Sequence, residues 1–145
     1  MITRNKGRTA VGAAAYMSCS EIKNEYDGIT HDYRRKQGLM YERAFFPSHA
    51  PPEWAGHSVL WNAVESVEKT KDSRLSRELI VALPTELTLD ENISMLEQFI
   101  QSQFVDDGMC ADVVIHDTDG HNPHAHIMLP ARPLKENGTW APKTK

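Results

Sequence analysis

The segment Asp112-Val113-Val114-Ile115-His116-Asp117-Thr118-Asp119-Gly120-His121-Asn122-Pro123-His124-Ala125-His126-Ile127-Met128-Leu129-Pro130-Ala131-Arg132 decides the reading of this chain. Two apolar runs flank a polar, turn-forming middle, the pattern of a β-hairpin with strands over Asp112 to His116 and His124 to Arg132. A strand sends alternate side chains to the same face. His124 and His126 therefore point together while Ala125 and Ile127 point away, and His116 can face them across the pair. Three neutral imidazole nitrogens converging on one point suit a divalent cation and leave coordination positions for a substrate. The competing reading is a polar hairpin whose imidazoles are merely solvated. His121 falls in the connecting loop and is a weaker ligand; Asp117 and Asp119 could bind an ion, but turn-forming is their ordinary role.

Working outward from the hairpin, Thr88-x-x-Glu91 is a capping box in front of Ile93, Leu96, Ile100 and Phe104, which predicts a helix ending near Gly108. Arg77 to Leu83 contains Leu79-Ile80-Val81-Ala82-Leu83, a short apolar run stopped by Pro84, which predicts a buried strand. Ser58 to Thr70 carries Val59, Leu60, Val64 and Val67 at helical spacing. Ala50-Pro51-Pro52 imposes an extended connection, and Leu39 to Phe46 reads as a strand ended by Pro47. Asn24 to Gly38 is polar, with Asp27-Gly28 as a turn. Ala10 to Ile22 is alanine-rich, with Thr9 placed to cap a helix. The order helix, strand, helix, strand, helix, strand, strand predicts an α+β fold: a central, largely antiparallel sheet flanked by helices, in one domain over residues 1–145.

Composition bounds the function. The chain has 145 residues, 40% hydrophobic and 25% charged, with net charge −4, the profile of a globular domain. No apolar run is long enough to span a membrane and the first residues carry no signal core. Cys19 and Cys110 form no metal or redox motif, so a reducing cytoplasm is the expected location, with no membrane insertion. An acidic chain argues against strong non-specific duplex binding. The charge is uneven, however: Arg4, Lys6, Arg8, Lys23, Arg34, Arg35 and Lys36 outnumber Glu21, Glu25, Asp27 and Asp32 over the first 36 residues. A local basic face and an ordinary solvated surface both fit that pattern.

Two further residues bear on chemistry. Glu78 opens the apolar strand; it could accept a hydrogen bond from a ligand histidine and fix its tautomer, or pair with Arg74 or Arg77. Tyr16 closes the run Ala13-Ala14-Ala15-Tyr16. A helical tyrosine usually packs on a core, but small neighbours would leave this hydroxyl accessible, and a phenol beside a cation can attack a phosphodiester. The residues alone do not choose Tyr16 over Tyr26, Tyr33 or Tyr41.

His124-Ala125-His126, with His116 upstream and Asn122-Pro123 before it, resembles the His-hydrophobe-His motif of plasmid mobilisation relaxases of the HUH endonuclease superfamily, in particular the MobA/MobL (MobQ) branch. Agreement extends to Gly7-Arg8-Thr9-Ala10-Val11 leading into Ala14-Ala15-Tyr16, to Thr30-His31-Asp32-Tyr33, to Leu60-Trp61-Asn62 with Val64-Glu65, to Arg77-Glu78 with Ala82-Leu83-Pro84, and to Phe104-Val105 with Gly108-Met109. It covers nearly the whole chain. The resemblance implies metal-dependent nicking and religation of one DNA strand at a plasmid origin of transfer, through a tyrosine linked to the 5′ phosphate. It implies Tyr16 as nucleophile, His116, His124 and His126 as metal ligands, Glu78 as the acidic residue beside them, and Mg or Mn as the ion. Single-stranded or hairpin origin DNA would be the substrate, with accessory transfer proteins and a secretion coupling protein as partners.

Arg8, Arg34, Arg35 and Lys36 are then the expected phosphate contacts, with Trp54, Trp61 and Trp140 available for base stacking, although helix packing suits Trp61 better. Three departures accompany the resemblance, one of them an acidic balance unusual for an enzyme that grips DNA. The family's first strand is expected to be nearly absent, and the chain stops at Lys145, where many relatives continue into helicase, primase or coupling regions. The rival functions are a rolling-circle replication initiator, a truncated remnant that binds DNA or metal without cutting, and a small three-histidine metallohydrolase or oxygenase.

Overall fold

The computed structural model describes residues 2–4, 7–35, 38–68, 70, 73–117 and 123–143. In chain order it contains β1 (Ile2–Thr3), α1 (Ala10–Ser18), β2 (Glu21–Lys23), β3 (Thr30–Asp32), β4 (Leu39–Phe45), α2 (His57–Val67), β5 (Arg74–Ala82), α3 (Leu89–Gln103), β6 (Ala111–His116) and β7 (His124–Pro130). Five strands form one sheet in the order β1-β5-β7-β6-β4, and every pairing is antiparallel. β2 and β3 form a separate antiparallel hairpin. The expected α+β architecture, an antiparallel sheet flanked by helices, is the one found.

The pleat sorts β6 and β7 into two faces. Val113, Ile115, Ala125, Ile127 and Leu129 point toward α3 and share a core with Leu96, Ile100 and Phe45. Val114 and Met128 point the other way, into a core with Ala14, Ala15, Leu60, Trp61 and Val64 of α1 and α2. Each aliphatic side chain buried in this way contributes about 1.5–3 kcal/mol. At the centre of the second layer Trp61 is fully buried. Its Nε1–H donates to Asp112 Oδ2 at 2.7 Å, which gives both an indole and a buried carboxylate a partner.

Local signals set the helix ends. Thr88 and Glu91 form the full reciprocal capping box of α3, worth about 1 kcal/mol. Thr9 Oγ1 accepts from Gly12 N at 2.8 Å and caps α1. α1 stops at Ser18, short of the expected Ile22, because Cys19 turns into the left-handed region (φ 53°) and its N–H bonds back to Ala15 O. The next residues leave the helix for β2, where Ile22 is drawn into the core. Asp27-Gly28 makes the expected turn: Gly28 has φ 76°, and Asn24 N–H donates to Ile29 O at 2.8 Å. That turn joins β2 to β3, neither of which the sequence reading contained. Pro51 is extended as expected, but Pro52–Ala55 then forms a 3-10 turn, because a proline's fixed φ suits a first helical turn.

One expectation is corrected outright. The run Leu79-Ile80-Val81 is not buried; its residues are 39%, 63% and 39% exposed. Among the described residues β1 pairs only with Ser76 and Arg74, so the rest of β5 is bonded there on its β7 side alone, and an edge strand loses cover. β1 is two residues long, Ile2–Thr3. Among the described residues no helix is long and apolar enough to cross a membrane.

Candidate active site

The register of the three neighbouring strands puts the chemistry on one face. His124 lies opposite His116 on β6 and Ala82 on β5; His126 lies opposite Val114 and Ile80; Glu78 lies opposite Met128. Residues two apart on a strand share a face, so His116, His124, His126 and Glu78 all stand on the α1/α2 side, at the end of the sheet beyond that layer's apolar core.

The side chains do not close on one point. The rings of His116 and His126 meet edge to face, with centroids 5.3 Å apart. Among the described residues no three His, Cys, Asp or Glu side chains are grouped as a bound ion would need. His116 is turned toward α1, where its Nε2–H donates to the carbonyl of Met17 at 2.7 Å. A carbonyl only accepts, so this bond fixes the tautomer and makes Nδ1 the basic nitrogen of the neutral ring. A backbone carbonyl on the far nitrogen is the usual partner of a metal-ligating histidine. The donor set and its shared face therefore suit a divalent cation, with the rings not converging on one point. His121 and Asp119 lie outside the described residues. Asp117 donates its N–H to Gly38 O.

The hydrogen bond from His116 reaches the residue after Tyr16. Tyr16 is 51% exposed and opens onto a cleft of about 420 Å³, lined among others by Arg8, Thr9, Gly12, His31, Tyr33, Glu78, Ile80 and His126. Helix α1 thus brings Tyr16 to the cleft that also receives His126 and Glu78, while His124 is not part of its lining. Tyr33 meets Tyr16 edge to face, with ring centroids 5.2 Å apart and planes at 84°, a favourable aromatic geometry. Glu78 is half-buried, and neither Arg74 nor Arg77 bridges to it among the described residues.

The basic residues divide. Arg8 is exposed and lines the cleft. Arg34 is exposed but held by Asp32 at 2.8 Å and Glu21 at 3.0 Å, and its hydrogen bonds keep the Asp32 carboxyl well below the usual range. Arg35 is exposed and is not in the cleft lining. Lys36 lies outside the described residues. The tryptophans are committed elsewhere: Trp61 is buried, and Trp54 stacks on Trp140 with ring centroids 4.9 Å apart. The exposed aromatics at the cleft are Tyr16 and Tyr33.

Sequence reasoning gave His31 no role of its own and named Tyr33 only as an alternative nucleophile. Their place in the family-like segment Thr30-His31-Asp32-Tyr33 was the available signal; the packing of the β2–β3 hairpin on α1 is what brings them to Tyr16.

The family model described as "MobA/MobL family" matches residues 8–145. The chain is 41% identical over 154 aligned residues to "Conjugal transfer protein TraA" of Agrobacterium fabrum (strain C58), covering 99% of this chain and 14% of that protein. It is 33% identical to "Mobilization protein MobL" of Acidithiobacillus ferridurans, covering 96% of this chain and 38% of the relative. It thus spans well under half the length of these curated relatives. Among solved structures, a chain from "Molecular Basis of Vancomycin Resistance Transfer in Staphylococcus aureus" superposes with a TM-score of 0.91 at 33% identity, over 99% of this chain and 73% of that one. With the histidine-bearing hairpin, the tyrosine on α1 and a matching sequence over nearly its full length, the chain belongs to the MobA/MobL family.

Proposed function

We propose that this chain is a relaxase domain that nicks and religates one DNA strand at a plasmid origin of transfer and so initiates conjugative mobilisation. The observation that carries the reading is the shared cleft: an exposed Tyr16, with His126 and Glu78 in the same lining and His116 tied to the adjacent Met17. The phenol oxygen of Tyr16 attacks the scissile phosphorus, the bond from phosphorus to the 3′ oxygen breaks, and the 5′ phosphate remains on the tyrosine. The phenol loses its proton and the leaving 3′ oxygen gains one. The reverse steps rejoin the strand.

His116, His124 and His126 would hold the divalent ion, Mg or Mn. When bound, such an ion draws charge from a phosphoryl oxygen and stabilises the crowded phosphorus. Glu78, on the same sheet face, orients a histidine ring or accepts a proton from the site. Arg8 binds a backbone phosphate, and Tyr33 holds the Tyr16 ring in place. The substrate is single-stranded or hairpin origin DNA, met in the cytoplasm, with accessory transfer proteins and a coupling protein acting in the same process.

The test is a denaturing gel of wild type and Tyr16→Phe incubated with a labelled transfer-origin oligonucleotide and Mn. Wild type should form a covalent adduct and Tyr16→Phe none. Equal adduct in both removes Tyr16 as nucleophile. No adduct with wild type favours a binding remnant, and preference for replication-origin DNA favours a rolling-circle initiator.

A further inference from the structure

The mechanism above leaves His31 without a task. It stands on β3 with its ring against the start of α1. A Cβ built on Gly12 would lie 2.8 Å from the capping Thr9 Oγ1 and 3.0 Å from both Cε1 and Nδ1 of this ring, so any larger residue would crowd the cap and press on the imidazole. Glycine inside a helix costs about 1 kcal/mol relative to alanine, so α1 gives up stability at this position and leaves room for the imidazole. Gly12 is one helical turn before Tyr16, and positions four apart share a helix face. The ring therefore lies beside the nucleophile's helix, within the lining of the same cleft. Its Nε2 is buried and has no hydrogen-bond partner among the described residues. A buried polar atom left unpaired costs about 1–3 kcal/mol, and in native folds such an atom is usually met by a protein group, a water, an ion or a ligand; of the atoms of this kind among the described residues, His31 Nε2 belongs to a side chain in the cleft lining.

We infer that His31 is a substrate-binding residue: its Nε2–H donates to a phosphate oxygen of the single DNA strand in the cleft, next to the phosphate that Tyr16 attacks. The inference rests on the reading of this cleft as a DNA site and names the side chain that grips the strand there. An anionic oxygen fits better than a base edge. An imidazole that carries a proton on Nε2 donates there, the neighbouring cation is Arg8, and a charge-assisted bond is the stronger kind. A phosphate contact positions the chain without reading its sequence.

The experiment is fluorescence anisotropy with a fluorescein-labelled single-stranded oligonucleotide of mixed sequence, with EDTA present so that no cleavage takes part. His31→Phe keeps the ring shape and removes the donor; its Kd should rise about tenfold. His31→Gln puts an amide donor near the place of Nε2 and should stay within about threefold of wild type. Imidazole ¹⁵N spectra of labelled wild type give a readout that needs no variant: the Nε2 resonance of His31 should move as the oligonucleotide is added. Unchanged affinity in His31→Phe, or an Nε2 resonance that stays still while the protein binds, overturns the assignment. Wild type that binds no single strand would bring down the DNA-cleft reading itself. Wild type that binds and forms the Tyr16 adduct while His31→Phe matches it would bring down the His31 assignment alone.

Discussion

The two faces of β7 belong to one strand and one stretch of sequence, yet they differ in kind. Toward α3, Ala125 and Ile127 are fully buried and Leu129 is 5% exposed, within a wholly apolar core. Toward α1 and α2, Met128 is buried, but His126 and His124 are half-buried, and His126 opens into the cleft. The α1/α2 core reaches Val114 and Met128 and stops before the histidines. Alternation thus lets a single hairpin anchor itself on one side and present reactive groups on the other. The anchored face lends its rigidity to the open one, because both hang from the same backbone ladder.

The largest expected break in that comparison lies in the polar joint of the α1/α2 layer. Glu65 is 1% exposed on its side chain; it bonds Arg4 at 2.7 Å and accepts the Ala10 N–H at 2.8 Å. One carboxylate thus ties the first residues and the start of α1 to α2. Glu65→Gln leaves Arg4, 8% exposed, without its counter-charge, and should cost about 3–5 kcal/mol in denaturant unfolding. A cost below about 1 kcal/mol, the range of surface pairs, would show that this layer does not depend on the joint.

Next come two substitutions on neighbouring residues with opposite consequences. Ile127→Ala opens a cavity under α3 and should cost about 3 kcal/mol, while the remaining folded protein keeps its adduct yield at low temperature. His126→Ala removes a half-buried ring over a cleft, should change stability by less than about 1 kcal/mol, and should abolish the adduct. If Ile127→Ala lost adduct in proportion to nothing but its own packing, with the protein still folded, the two faces would be coupled and the division of labour would fail.

A smaller effect is expected from acid. Burial pushes the Glu68 carboxyl up, but hydrogen bonds from Arg132 and Lys143 outweigh it and hold the group below its ordinary value. A carboxyl lowered in the folded state contributes stability that is present above its unfolded value, near 4.5, and is lost as pH falls through the folded one. Wild type should therefore lose melting temperature on acidification below about pH 5, and the gap between wild type and Glu68→Gln should narrow over that window. A gap independent of pH would mean that the carboxylate's charge contributes nothing there.

How much of this was legible in the sequence follows from the range of each interaction. The α3 cap needed only Thr88 and Glu91, three residues apart, and the facing of His116, His124 and His126 needed only the strand period and a correctly placed hairpin. The β2–β3 hairpin escaped because strands of three residues carry no measurable alternation, and with it went the approach of His31 and Tyr33 to Tyr16. The apolar run in β5 reads as buried because local hydrophobicity cannot report that β1 covers only its first residues. The stacking of Trp54 on Trp140 and the ion pairs of Arg34 are likewise tertiary facts. They give Trp54, Trp140 and Arg34 partners within the protein, which composition alone could not report.

The smallest effect sharpens the comparison at the point where α1 meets the histidine face. Cys19 caps α1 with φ 53° and ψ 45°, a conformation that costs an L-residue about 1–2 kcal/mol and that helices commonly assign to glycine. Cys19→Gly relieves that strain but adds about 0.4–1 kcal/mol of unfolded-state entropy. The net gain should be about 0.5 kcal/mol, or roughly 1–2 °C in Tm for a chain of this size. Two residues earlier, the carbonyl of Met17 holds His116. If the helix end only closes the helix, Cys19→Gly melts slightly later and makes as much adduct as wild type. If adduct falls while Tm rises, the left-handed cysteine sets the position of the Met17 carbonyl, and the open face is tuned from α1 as well as from the sheet beneath it.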